Sequence, residues 1–191
     1  MSVRRLLGGA VSAALLFGAA CSDPVPPPSQ AGLTIHIRSA PAGATPDGKS
    51  CQFNPHYAYI GSPPPGAGAP GSRVVDEEGG ASVKCAVRKS GDVFKVSASM
   101  SHKGVAFTVN GQLSPGGSGT ATILHRNPTM LDTLQNPVET PCIIAVDVEP
   151  LQVATGRIWA RFSCPGLISQ KQPSTYCEAD EGWFVLENCD E

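Results

Sequence analysis

Residues 43–50 (GATPDGKS) match the phosphate-binding pattern G-x4-G-K-[ST] letter for letter. That chemistry needs a loop that leaves a buried strand and opens a helix whose N–H groups hold the phosphates. Pro46 interrupts the segment, and Cys51-Gln52-Phe53-Asn54-Pro55 behind it is poor helix. The stretch therefore reads as a Pro/Gly turn, and no nucleotide is expected. Gly117-Ser118-Gly119 suggests a hydrolase nucleophile, but Thr120 stands where G-x-S-x-G needs its second glycine. That motif also needs a strand-to-helix turn. No other serine has a Lys or His at catalytic spacing, so the chain is not expected to be an enzyme.

The four histidines, His36, His56, His102 and His125, fall at no ligand spacing. His36, His102 and His125 read as polar-face or turn residues, and neither a metal nor a cofactor is expected. Acidic clusters occur at Asp76-Glu77-Glu78 and among Glu178, Asp180, Glu181, Glu187, Asp190 and Glu191. Neither has the oxygen ladder of a calcium loop, and both read as solvated turn charge. Trp159 and Arg161 share one face of a strand, opposite Ile158, Ala160 and Phe162. An outward Trp beside an Arg is the composition of a possible interface. The competing expectation, which is favoured, is that a second sheet or the C-terminal segment covers Trp159.

Thiols carry the strongest signal. The chain has 7 cysteines, an odd number. Arg4 and Arg5 precede an apolar stretch over residues 6–17, then small residues Gly18-Ala19-Ala20, then Cys21. That order is a secretory signal peptide, with an apolar core too short for a stable membrane span. The cysteine directly after the small residues resembles the bacterial lipobox, in which cleavage before Cys21 leaves a lipid-bearing N-terminal cysteine. Leu16 and Phe17 fit the box, and Gly18 stands where Leu is commoner. Removing Cys21 from the count leaves Cys51, Cys85, Cys142, Cys164, Cys177 and Cys189, an even set that reads as three disulfides in an exported chain.

The elements that must hold these cysteines are strands. Gly (21) and Pro (18) are abundant among 191 residues, and net charge is only −2. These numbers favour turns over long helices and give no electrostatic case for nucleic acid. Residues 1–20 are the signal and 21–32 the lipidated cysteine with a Pro-rich tether in part polyproline II. Residues 33–191 form the domain. Residues 33–38 (LTIHIR) alternate as a first strand, and 57–60 form a short one. From residue 81, Val83-Cys85-Val87, Phe94-Val96-Ala98-Met100 and Val105-Phe107-Val109 alternate with polar residues, and 120–125 follow a turn. These four strands with short turns predict an antiparallel meander. One helical turn is expected at residues 130–134. Residues 142–148 and 157–164 are further strands, and the apolar 183–186 lies in a tail expected to turn at Asp180-Glu181-Gly182. The fold class is an all-β, antiparallel β-sandwich of roughly seven to nine short strands, stapled by disulfides.

Two strands at 142–148 and 158–164 paired as a hairpin would set Cys142 opposite Cys164, with Cys51–Cys85 as the companion bridge. Cys177 and Cys189 are expected to pair locally. Residues 80–87 (GASVKCAV), 90–96 (SGDVFKV) and Arg161-Phe162-Ser163-Cys164 resemble the mycobacterial lipoprotein-antigen family, over roughly residues 80–164. The resemblance implies a surface β-domain without known catalysis and a Cys85–Cys164 bridge, which would leave Cys51–Cys142. The four additional cysteines and the tail after residue 164 depart from that pattern, so a partner shared with the family does not carry over. Both connectivities stand as alternatives.

The expected function is a lipid-anchored cell-envelope lipoprotein, a non-catalytic structural or recognition module. It would touch the membrane through its lipid and an envelope or surface protein through its exposed loops. Ser22 after Cys21 resembles outer-membrane-directed lipoproteins; a Gram-positive-type host would place it on the cytoplasmic membrane. A carrier of a small apolar ligand between the sheets is the alternative, and an envelope hydrolase a weaker one.

Overall fold

Two-residue alternation sets the architecture. In the computed structural model, which describes residues 25–41, 43–62, 72–130 and 132–191, Val83, Cys85 and Val87 are buried while Lys84 and Arg88 face solvent. The same rhythm buries Phe94, Val96, Ala98 and Met100 in the next strand. The signal stretch, Cys21 and the start of the tether lie outside the described residues, as does most of the loop at 61–72.

Twelve strands form among the described residues: β1 (Gln30–Ser39), β2 (His56–Ile60), β3 (Val74–Val75), β4 (Ser82–Ser90), β5 (Val93–His102), β6 (Val105–Leu113), β7 (Ser118–Asn127), β8 (Asp132–Gln135), β9 (Cys142–Ala145), β10 (Gln152–Ala154), β11 (Arg157–Ser169) and β12 (Tyr176–Glu187). Strands β4 to β7 are the predicted meander, paired antiparallel in sequence order. All strands belong to one hydrogen-bonded sheet ordered β2-β1-β12-β11-β8-β7-β6-β5-β4. This sheet doubles over. Phe107 of β6 packs 5.3 Å from Phe162 of β11 and 6.1 Å from Phe184 of β12, ring centre to ring centre. The result is an antiparallel β-sandwich whose two layers share a phenylalanine core.

The fold line runs through β8 and β9. They lie end to end between β7 and β11, each pairing with both. The helical turn expected at residues 130–134 is not formed over its described part, because Asp132–Gln135 pairs as strand β8. The strand total exceeds the expected seven to nine because β3, β8, β9 and β10 are only two to four residues long. The β-domain also starts earlier than the expected residue 33, since Gln30 to Gly32 already pair with β12.

Three disulfides form: Cys51–Cys177, Cys85–Cys189 and Cys142–Cys164. The last is the hairpin pair, set by Ser163 opposite Ile143 one position away. The other expected pairings are corrected. Cys177 and Cys189 do not meet, because β12 extends from Tyr176 to Glu187 and, at about 3.3 Å per residue, sets its two ends roughly 30 Å apart. The Cys85–Cys164 bridge that the family resemblance implies is not formed, nor are Cys51–Cys142 or Cys51–Cys85. Cys85 lies on the edge strand β4, whose open side takes the C-terminal segment instead. Asp190 N donates to Cys85 O at 2.9 Å and Val87 N to Asp190 O at 3.0 Å. That docking carries Cys189 to Cys85 and covers an otherwise unpaired edge.

Candidate functional site

The most irregular strand is β12, and its irregularity builds a site. Against β1, His36 pairs with Glu181 and Ile37 with Ala179, so Asp180 is skipped. Against β11, Phe162 pairs with Gly182 and Cys164 with Ala179. Asp180 is therefore an extra residue toward both neighbours, a β-bulge. Such bulges re-aim side chains. The inward set of β12 is Gly182, Phe184 and Leu186 after the bulge but Cys177 and Ala179 before it. The expected turn at Asp180-Glu181-Gly182 is this bulge.

Register then fixes the outer face. Trp183 lies between Arg161 of β11 and Thr34 of β1, and Tyr59 of β2 follows Thr34. One step along, Glu181 lies beside His36, and Tyr57 follows. Glu178, Asp180, Glu181 and Glu187 are thus strand residues with partners rather than solvated turn charge, while Asp190 and Glu191 lie exposed beyond β12. His36 Nδ1 donates to Asp180 Oδ1 at 2.7 Å, and Arg38 Nε lies 2.6 Å from Glu178 Oε1 and 2.9 Å from Asp180 Oδ2. Tyr57 stacks on His36 with centres 4.4 Å apart and planes 18° apart. Tyr59 lies 6.1 Å from Tyr57 and within 11° of parallel. Lost hydration, followed by the Glu181 and Asp180 charges, raises the Tyr57 phenol above its ordinary pKa.

On the β11 side, Arg161 grips Asp147 in a two-point pair, Nε to Oδ1 at 3.0 Å and Nη2 to Oδ2 at 2.5 Å. This contact holds the Asp147 carboxyl below its usual range and raises the Arg161 guanidinium. Trp183 Nε1 donates to Glu181 Oε1 at 3.1 Å. Between these groups lies an open cleft of about 280 Å³, lined by Ile143, Arg161, Ser163, Asp180, Glu181 and Trp183 among others.

The predicted pair Trp159 and Arg161 does share the outer face, but the two do different work. Arg161 lines the cleft. Trp159 is half-buried: its Nε1 donates to Glu187 Oε1 at 3.0 Å, and Arg73 covers its ring at 4.8 Å. The strand β12 partner and Arg73 therefore cover it.

The other candidate residues go elsewhere. Residues 43–50 form turns (Lys49 N to Pro46 O, 3.1 Å) and dock through Ser50 beside Thr175. They do not make a strand-to-helix loop. Asp76 Oδ1 caps Val83 N at 2.7 Å. His125 departs from the expected polar face: it is fully buried on the inward side of β7 between Phe107 and Leu134 in register. Neither of its ring nitrogens has a hydrogen-bond partner, and the buried Nε2 of His56 also lacks one. Burial first, then the nearby His56, lowers the His125 pKa from 6.5 to about 4, against a smaller opposing pull from the Ala106 backbone. Among the described residues, no group of three or more His, Cys, Asp or Glu is placed to hold a metal ion.

His36, Arg38, Tyr57, Tyr59, Asp180 and Trp183 were not singled out from the sequence as a site. Their signal was nevertheless there. His36 and Arg38 alternate in one strand, and Glu178 and Asp180 alternate with opposite charge in another. No family model, curated protein or solved structure matches this chain.

Proposed function

We propose that the chain is a lipid-anchored lipoprotein of the bacterial cell envelope that acts as a non-catalytic recognition module. The observation that carries this reading is the cysteine ledger. All six cysteines of the described domain are paired. The seventh, Cys21, is the one left over, and it stands directly behind the run of small residues. Structural disulfides belong to oxidising compartments, and a leftover cysteine at a signal-like boundary fits lipid attachment. Ser22 favours the outer membrane. The recognition part rests on the bulged face of β1, β2, β11 and β12, with its aromatic rings and cleft.

A carrier with an apolar ligand between the layers has less support, because Phe107, Phe162 and Phe184 fill that space against one another. The test is intact mass spectrometry, without reduction, of the protein extracted from native membranes. Acyl chains on Cys21 with six cysteines oxidised is the expected result. An unmodified Cys21 on a chain that retains residues 1–20 overturns the reading.

A further inference from the structure

We infer that the cleft at the Asp180 bulge binds a neutral, hydroxyl-rich glycan, with one sugar ring against Trp183 and the chain running over Thr34 toward Tyr59. This deepens the recognition reading above and rests on it.

The charges of the cleft decide the ligand class. Arg161 is already paired with Asp147, and Asp180 with both His36 and Arg38. A charged ligand would have to break one of these pairs to gain its own. A hydroxyl does not, because a paired carboxylate keeps free lone pairs and a paired guanidinium keeps free N–H groups. The surplus is also negative: Glu178, Asp180, Glu181 and Asp147 face Arg38, Arg161 and His36 across one surface. Anionic glycans and phosphate groups are therefore repelled.

Shape and surface point the same way. A cleft of about 280 Å³ is at or below the small end of ligand sites and has room for a single ring. Trp183 supplies an apolar wall, and its indole N–H is held by Glu181. Exposed Ile143 forms the opposite apolar margin. Across the sheet, Trp183 and Tyr59 occupy the two sides of Thr34, about 10 Å apart by strand spacing. That separation suits alternate units of an extended β-linked chain. On the line between them, Thr34 is only 5% exposed and its Oγ1 has no hydrogen-bond partner. A ligand hydroxyl that parts the flanking rings gains a bond there that the protein does not itself supply.

The site is also well placed for a polymer outside an anchoring membrane. The tether joins at the start of β1, where Asn188 Nδ2 donates to Pro28 O at 3.0 Å. His36 lies six residues further along the strand, about 20 Å from that end.

The experiment is calorimetric titration of the full chain in detergent with cellohexaose, chitohexaose and, as the anionic counterpart, an oligogalacturonate. Tryptophan emission is followed in parallel. Saturable binding of at least one neutral oligosaccharide, with a Kd of about 1 mM or below, is expected. Trp183→Ala should weaken it at least about tenfold. Ser163→Phe, which fills the cleft and leaves Trp183 in place, should do the same if Trp183→Ala proves misfolded by circular dichroism. Trp159→Phe, outside the cleft, should bind as the parent does. Three results overturn the inference: no neutral binding at millimolar ligand, binding of the anionic oligosaccharide alone, or neutral binding untouched by Ser163→Phe. The lipid mass on Cys21 is read independently, so failure here leaves the envelope assignment standing.

Discussion

The side-chain carbonyl of Asn136 accepts the backbone N–H of Ile123 at 2.6 Å, inside the protein. Asn136 sits in the gap between β8 and β9, where β7 has no strand beside it. Its backbone N–H also reaches Ile123 O at 3.3 Å, and its Nδ2 donates to Pro137 O and Thr140 O. One buried amide thus completes the ladder along the fold line of the sheet.

Replacing Asn136 with Ala should leave the Ile123 N–H and the Thr140 carbonyl short of these partners, while Pro137 O keeps the Thr140 N–H. A loss of about 1–3 kcal/mol follows from the cost of an unsatisfied buried group. Urea unfolding under oxidising conditions measures it. A change below about 0.5 kcal/mol would mean that water replaces the amide without penalty.

The three bridges should differ in worth. Cys51–Cys177 and Cys85–Cys189 close separations of 126 and 104 residues, and Cys142–Cys164 only 22. The chain-entropy account gives roughly 4.7 kcal/mol for loops near a hundred residues and about 3 for a short one. Serine pairs at each bridge, compared by unfolding midpoint, should rank the short loop as mildest. The reverse ranking would place the effect in native packing instead.

Acid should weaken the domain through His125. Its folded pKa is lowered to about 4 from 6.5, by burial first and His56 second. Well above pH 6.5 the ring is neutral in both states and contributes no dependence. Between 6.5 and about 4 the unfolded chain binds the extra proton, so stability falls as pH falls, by about 3 kcal/mol in all. The loss levels off below the folded pKa. Unfolding of the parent and of His125→Leu at several pH values isolates this term from the carboxylates. Parallel curves for the two proteins would remove His125 as the cause.

Gly182 should tolerate no side chain. A Cβ there would stand 2.2 Å from the Phe162 ring, and Phe162 is locked against Phe107 and Phe184. Gly182→Ala should cost about 1–3 kcal/mol as overpacking. An unchanged melting curve would show that the ring can move aside.

The meander was readable because β4 to β7 are local: each strand's partner follows after a short turn, and the alternation is clean. The bulge was not readable. Asp180-Glu181-Gly182 carries turn-forming residues, and only the partners on both sides, one of them about 140 residues away, make it strand. His125 looked polar because its type is polar, yet it continues the inward series Ala121, Ile123, His125. Phase outweighed residue type there. The pairing of Cys85 with Cys189 depends on an edge strand that no local pattern marks. The paired charges of the cleft failed to show for the same reason, since Arg38 and Glu178 belong to different ends of the chain.

The pairing of β1 with β12 also sets a timetable. A polypeptide that emerges N-terminus first brings out β1 early, with only β2 and β3 to lie on one side. Its other neighbour arrives after some 140 further residues. Cys51 waits 126 residues for Cys177, and Cys85 waits 104 for Cys189. Until then the early half presents an unclosed apolar layer and two thiols open to the wrong partner. An oxidase that acts in order of emergence would join Cys51 to Cys85, so reaching the native set calls for a catalyst that can reshuffle disulfides.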